Sequence, residues 1–131
     1  MKSQIMKIRT PHIPAGISLE EGLSILSATG KVEEHDDEEE LFYKVSYENF
    51  DIGFYQSEGK VTAAWYNDPT GRESDEGINQ KVTLYLERYG KIEDWEEGIN
   101  NGWIQFFNNN KNNIGMAYGV HKDVIRFNFF D

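Results

Sequence analysis

Three histidines, His12, His35 and His121, are the side chains best suited to proton transfer near neutral pH or to ligating a metal. Either job needs a second ligand or a carboxylate at a defined spacing, and no HxH or HExxH pattern supplies one. His35 stands nearest to such a cluster, inside Glu33-Glu34-His35-Asp36-Asp37-Glu38-Glu39-Glu40. Consecutive carboxylates point to alternate sides of an extended chain, and the run has no central glycine to turn a calcium loop. A solvated acidic loop is therefore the plainer reading, and no metal or other cofactor is expected. Serine catalysis lacks its GxSxG elbow, and neither a Walker A nor a GxGxxG pattern is present to cradle phosphate. The chain has no cysteine, which excludes disulfides, thiolate metal sites and a Cys nucleophile. Asp68 and Arg72 share a turn, where Asp68 is expected to cap its own backbone and Arg72 to pair with it. A pocket between sheet and helix that joined His121, Arg72, Asp68 and Trp103 is what an enzyme or ligand-binding domain would need.

The other chemistry in this sequence is that of a binding surface. Exposed tyrosine beside carboxylate is the composition of a protein-binding hot spot that faces an Arg/Lys-rich partner. The residues expected to form it are Glu34, Asp36, Asp37, Glu38 and Glu39 together with Tyr43, Tyr47 and Tyr66. Two helices cannot cover both faces of a multi-stranded sheet, so some of Tyr43, Tyr47, Tyr55 and Tyr66 are expected to reach solvent.

These residues must be positioned by strands and two helices. Ser18-Leu19-Glu20-Glu21 is a capping box that starts a helix with Leu19, Leu23 and Leu26 on one stripe and Gly30 as its stop. Ile78, Val82, Tyr85, Leu86 and Tyr89 form a second helical stripe over residues 76–89, capped by Ser74 or Asp75 and ended by Gly90. Period-two alternation predicts strands over 41–47, 50–55 and 61–66, which make an antiparallel meander. Strands are also predicted over 103–107, 114–120 and 124–130, the last two as a hairpin turning at His121-Lys122-Asp123. Gly115, Ala117 and Gly119 share one nearly bare face, and the helix at 76–89 is the expected occupant of it. No repeat or linker divides the chain. The expectation is one α+β domain over residues 1–131, with an antiparallel sheet of about six strands and two packed helices.

Bulk properties narrow the partners. The formal charge of −10 repels phosphate and anionic lipid, so neither nucleic acid nor membrane is an expected partner. The same field attracts a basic protein and speeds association at low salt. With 38% hydrophobic and 14% aromatic residues, the chain can fill a core without staples. Residues 1–10 carry positive charge without the continuous apolar stretch of a signal peptide, which predicts a soluble, cytoplasmic protein.

In size, acidity and lack of catalytic motifs the chain resembles the immunity proteins of bacterial polymorphic-toxin and contact-dependent-inhibition systems. Tyr66-Asn67-Asp68-Pro69-Thr70-Gly71-Arg72, Leu84-Tyr85-Leu86-Glu87-Arg88-Tyr89-Gly90, Asn101-Gly102-Trp103 and the segment 118–128 look like those of small bacterial proteins. The resemblance implies an inhibitor that covers the active site of a cationic toxin domain, and it carries over no site residue. The alternative is a small enzyme or ligand-binding domain. A homodimer that pairs edge strands through the C-terminal hairpin is compatible with either.

Overall fold

The structure is a computed structural model that describes residues 8–37, 40–47 and 50–130, with backbone only at 37, 40, 47 and 50. Its elements run α1 (Leu19–Thr29), β1 (Glu33–Asp37), β2 (Glu40–Tyr47), β3 (Phe50–Ser57), β4 (Lys60–Asp68), α2 (Asp75–Glu87), β5 (Glu96–Asn100), β6 (Gln105–Asn109), β7 (Ile114–Val120) and β8 (Ile125–Phe130). The strands form one antiparallel sheet in the order β1-β2-β3-β4-β8-β7-β6-β5. The α+β expectation holds, with eight strands in place of about six. The two additional strands, β1 and β5, are the sheet's edges, and both are mostly polar, with Ile99 the one large apolar residue between them. An edge strand without a buried face shows no alternation to read, which is why the acidic run resembled a loop.

Local chemistry explains the helix ends and tight turns. The Ser18 hydroxyl accepts the Glu21 amide at 3.1 Å, and the Ser74 hydroxyl accepts that of Gly77 at 3.0 Å. Gly77 is required by proximity, since a Cβ there would lie 2.4 Å from the Gly71 carbonyl oxygen. The turn between β3 and β4 has positive φ at Glu58 and Gly59, the twist a two-residue hairpin needs. Helix α2 ends at Glu87, before the expected stop at Gly90.

Register decides which residues share a face. Val45, Ile52, Tyr66, Phe127, Tyr118 and Gln105 lie in one row across the sheet. Helix α1 packs on this inner face over β2, β3 and β4. Helix α2 and the residues just after it pack on it too, with Tyr85 stacked on Phe127 at 4.1 Å between centroids and Tyr89 on Phe129 at 3.9 Å. Both helices therefore cover the same side. The next row, Lys44, Gly53, Trp65, Asn128, Ala117 and Phe106, faces the other way, and no described helix lies over it.

Two expectations are corrected here. Helix α2 does not occupy the Gly115, Ala117 and Gly119 face, because the larger apolar side chains Ile114 and Met116 on the opposite side of β7 bury more area against it. The ring of Phe130 fills the space above Gly115, where a Cβ would come within 2.7 Å of it. The C-terminal hairpin also offers no edge for pairing, since β7 and β8 are flanked on both sides. Among the described residues no helix is long and apolar enough to cross a membrane.

Candidate functional site

Tyrosine and aspartate dominate the centre of the inner face, where they form a closed polar network. The Asp68 carboxylate accepts from Lys81 Nζ at 2.9 Å, Tyr85 Oη at 2.9 Å, and the amide and hydroxyl of Thr70 at 3.0 and 2.8 Å. Burial opposes ionisation of Asp68, but Lys81 and the Thr70 donors outweigh it, and its carboxyl sits below the ordinary value. Tyr85 also shares a 2.8 Å hydrogen bond with the Thr10 hydroxyl. Tyr66 accepts the Ile13 amide at 2.8 Å and pairs with the Tyr89 hydroxyl, which in turn donates to the Ile13 carbonyl at 2.6 Å. Arg88 donates to the Pro11 carbonyl at 2.9 Å and to the Thr10 carbonyl, and its guanidinium lies 5.1 Å from the Tyr85 ring centre. Burial drives the hydroxyls of Tyr66, Tyr85 and Tyr89 above the ordinary tyrosine pKa. Tyr66, Tyr85, Tyr89 and Arg88 hold residues 10–13 against the core, and Asp68 ties Tyr85 to Lys81 and to its own turn.

That arrangement settles two sequence expectations. Asp68 does cap its own turn through Thr70, but its ionic partner is Lys81 from the facing helix, not Arg72. Tyr66, expected at a partner surface, is 0% exposed, and Tyr43 is buried as well. Both point to the helix-covered side, because their strand positions share the parity of Val45 and Ile52. Both belong to the core packed between sheet and helices. The cleft that holds Trp103 is lined by none of the other three residues proposed for a pocket, Asp68, Arg72 and His121. Trp103 and His121 both border Gly119, while Asp68 is committed to the buried network.

The outer face carries a different aromatic set. His35 stacks on Phe42 at 4.8 Å with their planes 6° apart, and Phe42, Tyr55 and Trp65 lie 5.2–5.6 Å from one another. Gly53 makes this possible, since a Cβ there would come within 2.5 Å of the Trp65 indole. The ring thus lies flat on the strand, only 8% exposed, and Phe42 and Tyr55 remain half-buried beside it. The acidic edge borders this pavement. Glu33 and His35 project to the outer side, 3.6 Å apart, and the Lys44–Asp51 ion pair at 3.2 Å lies next to them. Glu34 and Asp36 are exposed on the inner side of the same strand. Burial, followed by those two carboxylates, raises the Tyr43 hydroxyl pKa. Glu38 and Glu39 lie outside the described residues, as do the side chains of Asp37 and Tyr47. The signal that would have found Phe42, Tyr55 and Trp65 was in the sequence, as their alternation with Tyr43, Phe54 and Tyr66. Nothing local said which set the helices would cover.

A second surface lies at the far edge, about 33 Å away across seven strand spacings. Trp103 is 86% exposed and Ile99 73%, with Ile104 and Val120 also open to solvent. Trp103, Ile104 and Val120 border a cleft of about 370 Å³ whose walls include Asn100, Gln105, Tyr118 and Gly119. Among the described residues no three His, Asp or Glu side chains converge as metal ligands. No family model, no curated protein sequence and no solved structure matches the chain.

Proposed function

We propose that this protein is a binding protein for a basic protein partner, of the kind by which an immunity protein covers a cationic toxin domain. The observation that carries this reading is the outer sheet face, where half-exposed Phe42 and Tyr55 cluster around the Trp65 ring beside an edge strand rich in carboxylates. Arginine and lysine side chains gain from both parts, through attraction to aromatic faces and to carboxylates. The −10 charge supplies long-range steering toward such a partner. The immunity role adds that the covered region of the partner is its active site, with carboxylates standing where a phosphate would bind. A cytoplasmic location goes with that role, since an immunity protein acts where its toxin would.

The test is affinity capture of the tagged protein from lysate of its native source, eluted by rising salt and identified by mass spectrometry. The expected result is one basic partner released at high salt. Replacing Glu33, Glu34 and Asp36 with Ser should then slow association and flatten its salt dependence. Replacing Phe42 and Tyr55 with Ala should speed dissociation. A partner that is acidic, or one whose binding ignores both sets of changes, would overturn this reading.

A further inference from the structure

The loop between β5 and β6 is built to hold one aromatic ring in water. The Asn101 side-chain oxygen accepts the amides of Trp103 at 2.9 Å and Ile104 at 2.8 Å, and the Asn101 amide donates to the Ile104 carbonyl at 3.2 Å. The Asn100 side-chain oxygen accepts the Gly102 amide at 2.9 Å, and Gly102 has a φ of +88° that favours glycine. Gly119 lets the turn lie close on β7, because a Cβ there would come within 3.1 Å of the Trp103 carbonyl oxygen. The indole is thus exposed on a pinned backbone, and a ligand that stacks on it meets a loop already in place.

The cleft beside the ring has polar walls and no charged side chain among its lining residues. The Gln105 side-chain oxygen is occupied by Asn100 Nδ2 at 3.0 Å, which leaves the Gln105 amide nitrogen without a partner among the described residues. The Tyr118 hydroxyl also has no hydrogen-bond partner among them. Burial, and then the nearby carboxylate of Glu97, raises its pKa, so it remains a donor at neutral pH. One exposed ring face, free neutral donors and an aliphatic rim of Ile104 and Val120 match a particular ligand chemistry. A pyranose ring offers a face of weakly positive C–H groups for the indole and an edge of hydroxyls for amide and phenol. Anionic ligands are repelled by the charge of −10. A second copy of the chain brings the same net charge, and its edge strand carries Glu96 and Glu97 as well.

We propose that the cleft beside Trp103 is a binding site for a neutral oligosaccharide, stacked on the Trp103 indole and hydrogen-bonded by Gln105 and Tyr118. The site is independent of the partner surface at the opposite edge, so either can fail alone.

The experiment is an array of neutral glycans probed with labelled full-length protein and with Trp103→Ala, followed by fluorescence titration of any hit. Trp65 and Trp95 are buried, so a saturable emission change on sugar binding reports Trp103. Trp103→Ala should retain its fold, its side chain being exposed, and should lose glycan binding. Gln105→Ala should weaken it by about fivefold, the effect of one neutral hydrogen bond. The proposal is overturned if the array gives no signal that depends on Trp103. It is equally overturned if the Trp103 emission responds to tetramethylammonium or to protein concentration instead of sugar, which would mark a cation site or a self-association surface.

Discussion

Asp68 concentrates the pH dependence of this fold. Its carboxyl titrates below the ordinary 3.8, so the stability it contributes is present above that value and declines as the solution falls through and below it. Removing the carboxylate in Asp68→Ala takes away the charge that balances the Lys81 ammonium, at a cost of about 3–5 kcal/mol in urea denaturation at pH 7. The pair Asp68→Asn with Lys81→Met should recover part of that loss. The tyrosines act at the other end of the scale. Tyr66, Tyr85 and Tyr89 have folded-state pKa values raised above the ordinary 10.0, so their contribution is intact below pH 10 and is lost as pH rises beyond it. Each tyrosine kept neutral in the fold should add about 1.4 kcal/mol of destabilisation per pH unit above 10. A urea midpoint that stays level between about pH 10 and 11.5 would contradict this placement of the three hydroxyls.

Strands β3 and β7 place glycine where an aromatic ring must lie flat, and the two cases differ in what a methyl group would meet. At Gly53 an alanine Cβ would lie 2.3 Å from the Tyr43 carbonyl oxygen as well as 2.5 Å from the Trp65 ring. The backbone contact cannot swing away, and Gly53→Ala is expected to cost about 2–3 kcal/mol or more. At Gly115 the nearest atoms all belong to the Phe130 ring at the end of β8. Gly115→Ala should therefore cost less than Gly53→Ala, a ranking that thermal denaturation of the two variants would check. These elements also mark what was readable in advance. The central strands β2, β3, β4, β7 and β8 alternate clearly and were legible, as were both helix starts at Ser18 and Ser74. Edge strands β1 and β5, reading EEHDD and EEGIN, carry no apolar stripe because neither buries a full face.

The whole molecule consists of two units in the same order, α1 with β1 to β4 and α2 with β5 to β8, joined where β4 pairs with β8. In each unit the last strand is innermost and the first is at the edge. Neither unit closes its own sheet, since β4 and β8 each satisfy a row of backbone groups on the other. Tyr66 of the first unit is likewise enclosed by Tyr85, Tyr89 and Phe129 of the second. A chain ending at residue 72 is expected to show no cooperative urea transition, and a sharp one would mean that the halves fold independently. The charge also acts at this scale. Association with a basic partner should slow steeply between low and physiological salt, while intramolecular stability, resting on buried contacts, changes far less.

The sequence by itself determined the class of fold, the five central strands, the caps of both helices, the strongly acidic field and the absence of thiol chemistry. Each of these rests on local spacing or on composition, which the linear chain states directly. Tertiary structure decided which side of the sheet the helices cover. Along β2 to β4 both sides carry aromatics, Tyr43, Phe54 and Tyr66 against Phe42, Tyr55 and Trp65, so alternation separates two faces without ranking them. That choice belongs to the long-range packing of Tyr85 on Phe127 and Tyr89 on Phe129, and it turned Tyr66 into core and left Phe42 and Tyr55 at the surface. The exposure of Trp103 has the same origin. Its turn chemistry at Asn101 and Gly102 is local, but only the position of β5 at the sheet edge leaves the ring in water.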